Sequence, residues 1–313
     1  MGQKEIKLPT TAMGWAARLS KIVKIVHDAH GLDRFPIKVA DIASDFTANV
    51  YPNAQITLVD GRTLSKNFEG ALIPKPDGSG EWGIFFNSGI VSPGRINFTL
   101  AHELGHYLLH RQLSGDSIFC AKRDLWTWNS DYGRIEAEAN KFSSFLLMPL
   151  DDFRLQTNCL NRPSVSDFDR LRERYAVSVT AVILKWLEIT PKRAMIVISR
   201  DGFIDWSWSS EALLKTGVFF RAKQETTPLP EESLAAKQDM SAEAITGKVL
   251  PEGVWAKKEP VFESVLYSEY HSMTISLLIF PDEGPWRPTW ISDPGDDSDP
   301  LEDTFSRMQR SSR

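Results

Sequence analysis

Trp15, Leu19, Ile22, Val23 and Val26 recur every three or four residues and Gly31 follows, a spacing that predicts an amphipathic helix over residues 11–30 closed by a glycine C-cap. His27 and His30 fall in its last turn, where the helix dipole favours them. Residues 36–46, PIKVADIASDF, read as a short second helix. Apolar or alternating runs at 54–59, 70–73 and 82–86, the last two split by the turn-forming string PKPDGSGE, predict a small antiparallel sheet. Ser92-Pro93 then offers an N-cap hydroxyl and a proline at the first helical position. The helix it opens runs to about residue 112 and carries Phe98, Leu100, Ala101, Leu104, Leu108 and Leu109 around much of its circumference, so it must be buried.

A further helix over 134–148 ends at Met148-Pro149, and helical segments at 165–175 and 178–188 meet across Ala176-Val177. Beyond Thr190-Pro191 the pattern turns to strands, RAMIVISR and FIDWSWS, then to a stretch rich in Pro, Glu and Ala over 222–252, then to strands again, VFESVLYSEY and MTISLLIF. The expected fold is α+β: a helical core with a small antiparallel sheet over residues 1–155, a helical extension over 156–190, an α+β C-terminal domain over 191–283 and an acidic disordered tail over 284–313.

Composition narrows the function classes. The 313 residues include 36 Lys or Arg and 41 Asp or Glu, a net charge of −5 that argues against nucleic acid as the primary ligand. Six of those acids lie between Asp293 and Asp303, more than the whole net charge, so the deficit mainly describes the tail. Two cysteines, Cys120 and Cys159, are too few for a disulfide framework and fit a reducing compartment. No apolar run nears the roughly 18 residues a membrane span needs, and MGQKEIKLPTT lacks a signal-peptide core, so the expectation is a cytoplasmic protein with no membrane partner.

The chemistry sits inside the buried helix, in His102-Glu103-Leu104-Gly105-His106. Imidazoles four residues apart on a helix are about 40° apart around the axis and one turn apart along it, so both can ligate one ion. Glu103 lies about 100° round from His102, beside the ligands, where a carboxylate can take a proton from activated water. His110 is about 12 Å along the axis from His102, too far to share that ion. Leu109 and Gln112 stand where the metzincin motif requires Gly and His. A third ligand must then come from another helix, and RIEAEANKFSSFLLMP offers Glu136 and Glu138, two residues apart and each bordering the apolar stripe of Ile135, Ala139, Phe142 and Leu146. Periodicity leaves both open.

RINFTLAHELGHYLLH, followed about 30 residues later by EAEANKFSSFLLMP, resembles the ImmA/IrrE family of bacterial and phage metallopeptidases. The resemblance covers roughly residues 11–190 and implies a gluzincin-like site: His102, His106 and Glu136 on one Zn2+, with Glu103 as general base. The Glu four residues before Asn140 is the family's third ligand, with Met148-Pro149 in register. The family also implies a substrate, a helix-turn-helix repressor encoded nearby, whose cleavage would make this chain an antirepressor. A non-hydrolytic module that sequesters the repressor around a structural metal is the competing expectation, and the intact Glu103 favours the enzyme.

Three further readings complete the sequence. The strand at 82–86 is expected to pair with an extended substrate, and the loop at 113–132, with Trp126 and Trp128, to supply apolar specificity contacts. LRERYAVSVTAVILKWLEI has helix-turn-helix spacing, but its second helix offers a groove only Lys185, so packing against the peptidase core is expected instead. Nothing in these residues nominates an oxyanion donor.

Overall fold

The computed structural model describes residues 8–65, 68–112, 118–121, 131–220, 222, 226–239, 241–268 and 272–282, of which 118–121 and 131–132 by backbone only. Trp126, Trp128 and the acidic tail fall outside the described residues. The fold is α+β and separates into two compact units. One takes the chain up to Gln156 together with Arg172–Ser178; the other takes Thr157–Leu171 and the chain from Val179 on. The segment 156–190, expected as a single extension, is thus divided between them.

In the first unit, α1 (Ala12–His30) starts where the Thr11 side chain accepts from Gly14 N and ends at Gly31 in the left-handed region, φ 65°. His27 Nδ1 lies 2.7 Å from Asp33 O and His30 Nδ1 2.8 Å from Val26 O, so both histidines serve the helix end. Helix α2 (Val39–Val50) begins three residues later than its composition suggests, with Lys38 as N-cap. Strands β1 (Ile56–Arg62), β2 (Phe68–Pro74), β3 (Trp82–Asn87) and β4 (Ile118–Ala121) form a sheet in the order β1-β3-β2-β4. The β2–β3 pair is antiparallel, as the hairpin pattern predicts, and β2 also pairs antiparallel with β4, a strand inside the stretch read as a loop. β1 runs parallel to β3, because the hairpin folds back so that β3 enters between β1 and β2. That insertion corrects the expected substrate strand: β3 has both edges paired, and the sheet's edges among the described residues are β1 and β4. β4 itself carries too short an apolar run to stand out from its loop.

Helix α3 (Pro93–His110) is capped by Ser92, whose hydroxyl accepts from Arg95 N. It is buried along its C-terminal half, from Thr99 to Leu108, and packs on β2, β3 and α4 (Asp131–Leu147). Helix α4 ends at Leu147, just before Met148-Pro149 as expected, and a separate helix α5 (Leu150–Thr157) follows, with Phe153 N donating to Pro149 O at 2.8 Å. Asp152 on α5 receives Arg174 Nε and Nη2 at 2.7 and 2.8 Å and the Tyr175 hydroxyl at 2.6 Å from α6 (Asp169–Tyr175). These bonds fasten 172–178 to the first unit.

The second unit is built on an antiparallel six-stranded sheet of β5 (Ala194–Arg200), β6 (Phe203–Ser209), β7 (Thr227–Pro228), β8 (Lys248–Leu250), β9 (Val261–Ser268) and β10 (Met273–Ile279), in the order β7-β6-β5-β10-β9-β8. Short helices α8 (Glu211–Leu214) and α9 (Ala242–Thr246) lie among its connections. Before them in the chain, α7 (Val179–Ile189) packs on β5 and on the 3-10 turn Val165–Phe168, with Phe168 and Trp186 rings 5.6 Å apart. The apolar face of α7, expected to cover the peptidase core, therefore covers the sheet of its own unit. Lys185 on that helix is buried and donates to Glu188 at 3.1 Å. The unit's irregular stretches converge on Glu263, fully buried on β9, which accepts from Leu234 N, Ala235 N, Trp255 Nε1 and the Ser276 hydroxyl at 2.8 to 3.3 Å. No helix among the described residues is long and apolar enough to cross a membrane.

Candidate metal centre

Close approach of α3 and α4 creates the site. A Cβ on Gly105 would stand 2.9 Å from Phe142 Cδ1 and 3.3 Å from Ala139 Cα, so glycine is what lets the two helices meet here. Ala139 lies one turn beyond Glu136, and the same contact brings Glu136 to the two histidines. His102 Nε2 is 3.0 Å from His106 Nε2 and 3.1 Å from Glu136 Oε2, and His106 Nε2 is 3.2 Å from Glu136 Oε1. All three residues are buried, with exposures of 7, 0 and 4 % for His102, His106 and Glu136.

These atoms are close enough to bind one metal ion. Tetrahedral coordination at roughly 2.0–2.1 Å separates neighbouring ligand atoms by about 3.3 Å, close to the spacing found. Two imidazoles and one carboxylate form a borderline donor set suited to a divalent transition ion with room for a further ligand. The electrostatics agree. Burial would raise the Glu136 carboxyl, but hydrogen bonds from His102 and His106 hold it down at about 2, so it is an anion in a dry site. Burial, aided by the charges of its histidine neighbours, pushes His106 down to about 4 and keeps its ring neutral. Burial also opposes charge on His102, yet the Glu136 hydrogen bond and the Glu103 and Glu136 charges hold its pKa above the ordinary value.

Glu103 is fully buried and its carboxylate turns towards β2. A Cβ on Gly70 would come within 2.6 Å of Thr99 Cγ2 and closer still to Glu103 Oε1, so the strand leaves the carboxylate its space by omitting a side chain. Arg95 Nε donates to Glu69 Oε2 at 3.1 Å and ties that strand to the first turns of α3. Tyr107 points away, donating its hydroxyl to Ala54 O, and burial pushes its pKa up to about 12.

Beyond the three converging residues stand groups whose roles the sequence left open. Asn140 Oδ1 is 3.0 Å from His102 Nδ1. His110, set aside on distance, lies with Nδ1 3.1 Å from His106 Nδ1, and Glu138, the competing carboxylate, lies with Oε2 3.0 Å from His110 Nε2. The four-residue step from His106 to His110 and the two-residue step from Glu136 to Glu138 are the sequence signals for this second layer; they make sense only once α3 and α4 are paired.

Comparison with known proteins bears on the same stretch. The family model described as IrrE N-terminal-like domain, Peptidase_M78, matches residues 62–187, which hold both helices of the site. A solved structure titled Mycobacterium tuberculosis transcriptional regulator is similar at a TM-score of 0.49 and 14% identity, over 84% of this chain and 76% of that one. No curated protein matches the sequence. Residues 62–187 are thus similar to the IrrE N-terminal-like domain of the Peptidase_M78 family.

Proposed function

We propose that this chain is a zinc-dependent endopeptidase that cleaves a regulatory protein, a helix-turn-helix repressor, and so relieves repression. The observation that carries the reading is the buried convergence of His102, His106 and Glu136 with Glu103 on the adjoining helical position, facing a strand that makes room for it. His102, His106 and Glu136 would hold the zinc ion. When bound, such an ion polarises a peptide carbonyl and makes water acidic enough for a carboxylate to deprotonate.

The chain's own residues do the rest. Glu103 accepts the proton of the attacking water and returns it to the leaving amine, a role that requires the carboxylate beside the ligands and not among them. Asn140 orients the His102 ring through Nδ1. β4, at the sheet edge next to β2, is the strand against which an extended substrate would add, since β2 also borders Glu103.

The test is cleavage of a repressor encoded beside this gene by the purified, zinc-loaded protein, followed by mass spectrometry of the fragments. Wild type is expected to cut at a defined bond. Glu103→Gln is expected to keep zinc and lose cleavage by 100-fold or more. Equal disappearance of intact repressor with both forms would show that Glu103 performs no proton transfer.

A further inference from the structure

His110 and Glu138 hold no ion in this reading, yet they are built into its support. His110 is 2 % exposed and stands between His106 and Glu138, with its two ring nitrogens 3.1 and 3.0 Å from them. The carboxylate sets the direction of this chain of contacts. An ionised Glu138 only accepts, so the His110 nitrogen facing it, Nε2, must carry a proton and donate. In a neutral His110 ring that donates from Nε2, Nδ1 keeps its lone pair. His106 Nδ1 faces that lone pair, so it must be the N–H partner. A neutral His106 protonated on Nδ1 has its free lone pair on Nε2, the atom that meets His102 and Glu136.

The opposite assignment fails at the far end. With His106 protonated on Nε2, His110 would donate from Nδ1, and its bare Nε2 would confront the Glu138 carboxylate. That arrangement sets a lone pair of the buried His110 ring against the carboxylate and forfeits their hydrogen bond, which selects the first arrangement. His102 has a simpler support, because Asn140 Oδ1 can accept its Nδ1–H directly. Both rings are thereby aimed by second-layer acceptors, one an amide and the other an imidazole backed by a carboxylate.

We propose that His110 and Glu138 are positioning residues, a two-step relay that fixes the tautomer of His106 and aims its Nε2 lone pair at the cation. The relay starts and ends on the two helices that carry the ligands, and Glu138 sits on the same turn of α4 as Glu136. It rests on the reading that these residues hold zinc, but not on peptidase activity.

The experiment is a zinc competition titration against a chromophoric chelator on the full chain, with the visible spectrum of the Co2+-substituted protein as a second readout. Glu138→Ala is expected to weaken zinc about tenfold and to shift the Co2+ bands. Glu138→Gln, which keeps an acceptor for His110 Nε2–H, is expected to fall between Ala and wild type. In a His110→Ala background, itself about tenfold weaker, Glu138→Ala is expected to add nothing, because the relay is already cut. The Glu138 side chain is 48% exposed, so its variants are expected to keep the fold, as thermal melts of the metal-free proteins would show. Wild-type affinity in Glu138→Ala, within twofold, would overturn the relay, and so would an undiminished tenfold loss in the His110→Ala background. A wild type that binds no zinc would instead bring down the metal reading beneath it.

Discussion

Gly70→Ala changes one hydrogen on a strand and should disable the site. Gly70 has no positive φ and pairs in register with Phe86 and Cys120, so alanine suits its backbone and stiffens the unfolded chain, worth about 0.4–1 kcal/mol in favour of folding. Against this stands overpacking, about 1–3 kcal/mol. The lower end applies, because the atoms in the way are side-chain tips, Glu103 Oε1 and Thr99 Cγ2, which can move. The two terms roughly offset, and the thermal midpoint should shift by only a few degrees. The tip that moves, however, is the proposed general base. Misplacing a reacting group by about 1 Å costs on the order of 100-fold in rate, about 2.7 kcal/mol at the barrier. The assay is kcat/KM on the repressor that the wild type cleaves, with zinc content and melting measured on the same samples. The expected outcome is full zinc, a near-normal midpoint and a 100-fold slower reaction. Activity within threefold of wild type at full zinc would refute the claim that Gly70 exists to seat Glu103.

Other perturbations read the scaffold. Burial would raise the Asp152 carboxyl, but Arg174 and Tyr175 hold it below its ordinary 3.8, so its stabilisation is present above that pH and lost as pH falls through the folded pKa. Asp152→Asn should cost about 1–2 kcal/mol near neutrality, discounted because Arg174 is 37% exposed, and denaturant curves for the two proteins should converge as the pH falls through the lowered pKa of Asp152. Glu263→Ala should cost about 3 kcal/mol or more, since it strands Leu234 N, Ala235 N and Trp255 Nε1 in the core of the second unit; a near-UV signal and midpoint like wild type would contradict this. Gly105→Ala should force Phe142 and Ala139 away, lowering the melting point by several degrees and weakening zinc because Glu136 travels with them.

The legible features were those written into one element at a time. The helix caps at Gly31 and Ser92, the i, i+4 histidines and the apolar circumference of α3 all follow from local spacing, and the structure bears them out. Features that depend on two elements meeting were not legible. Two carboxylates on one turn of α4 had no order of merit until Gly105 set the helix contact; Glu136 then turns to the histidine pair and Glu138 to His110. Likewise the apolar run of β3 reads the same whether the strand lies at an edge or in the middle, and only the hairpin's return places it inside. β4, with four residues, is too short for periodicity to mark. The apolar face of α7 announced burial without saying against what, and the six-stranded sheet of its own unit covers it.

The central claim is that His102, His106 and Glu136 together hold one catalytic zinc, and zinc titration of the wild type beside Glu136→Ala tests it most directly. The account predicts one ion per wild-type chain, an absorption-edge spectrum with nitrogen and oxygen ligands at about 2.0–2.1 Å, and no stoichiometric zinc in Glu136→Ala at the same concentrations. A full equivalent of zinc retained by Glu136→Ala with unchanged affinity would contradict it.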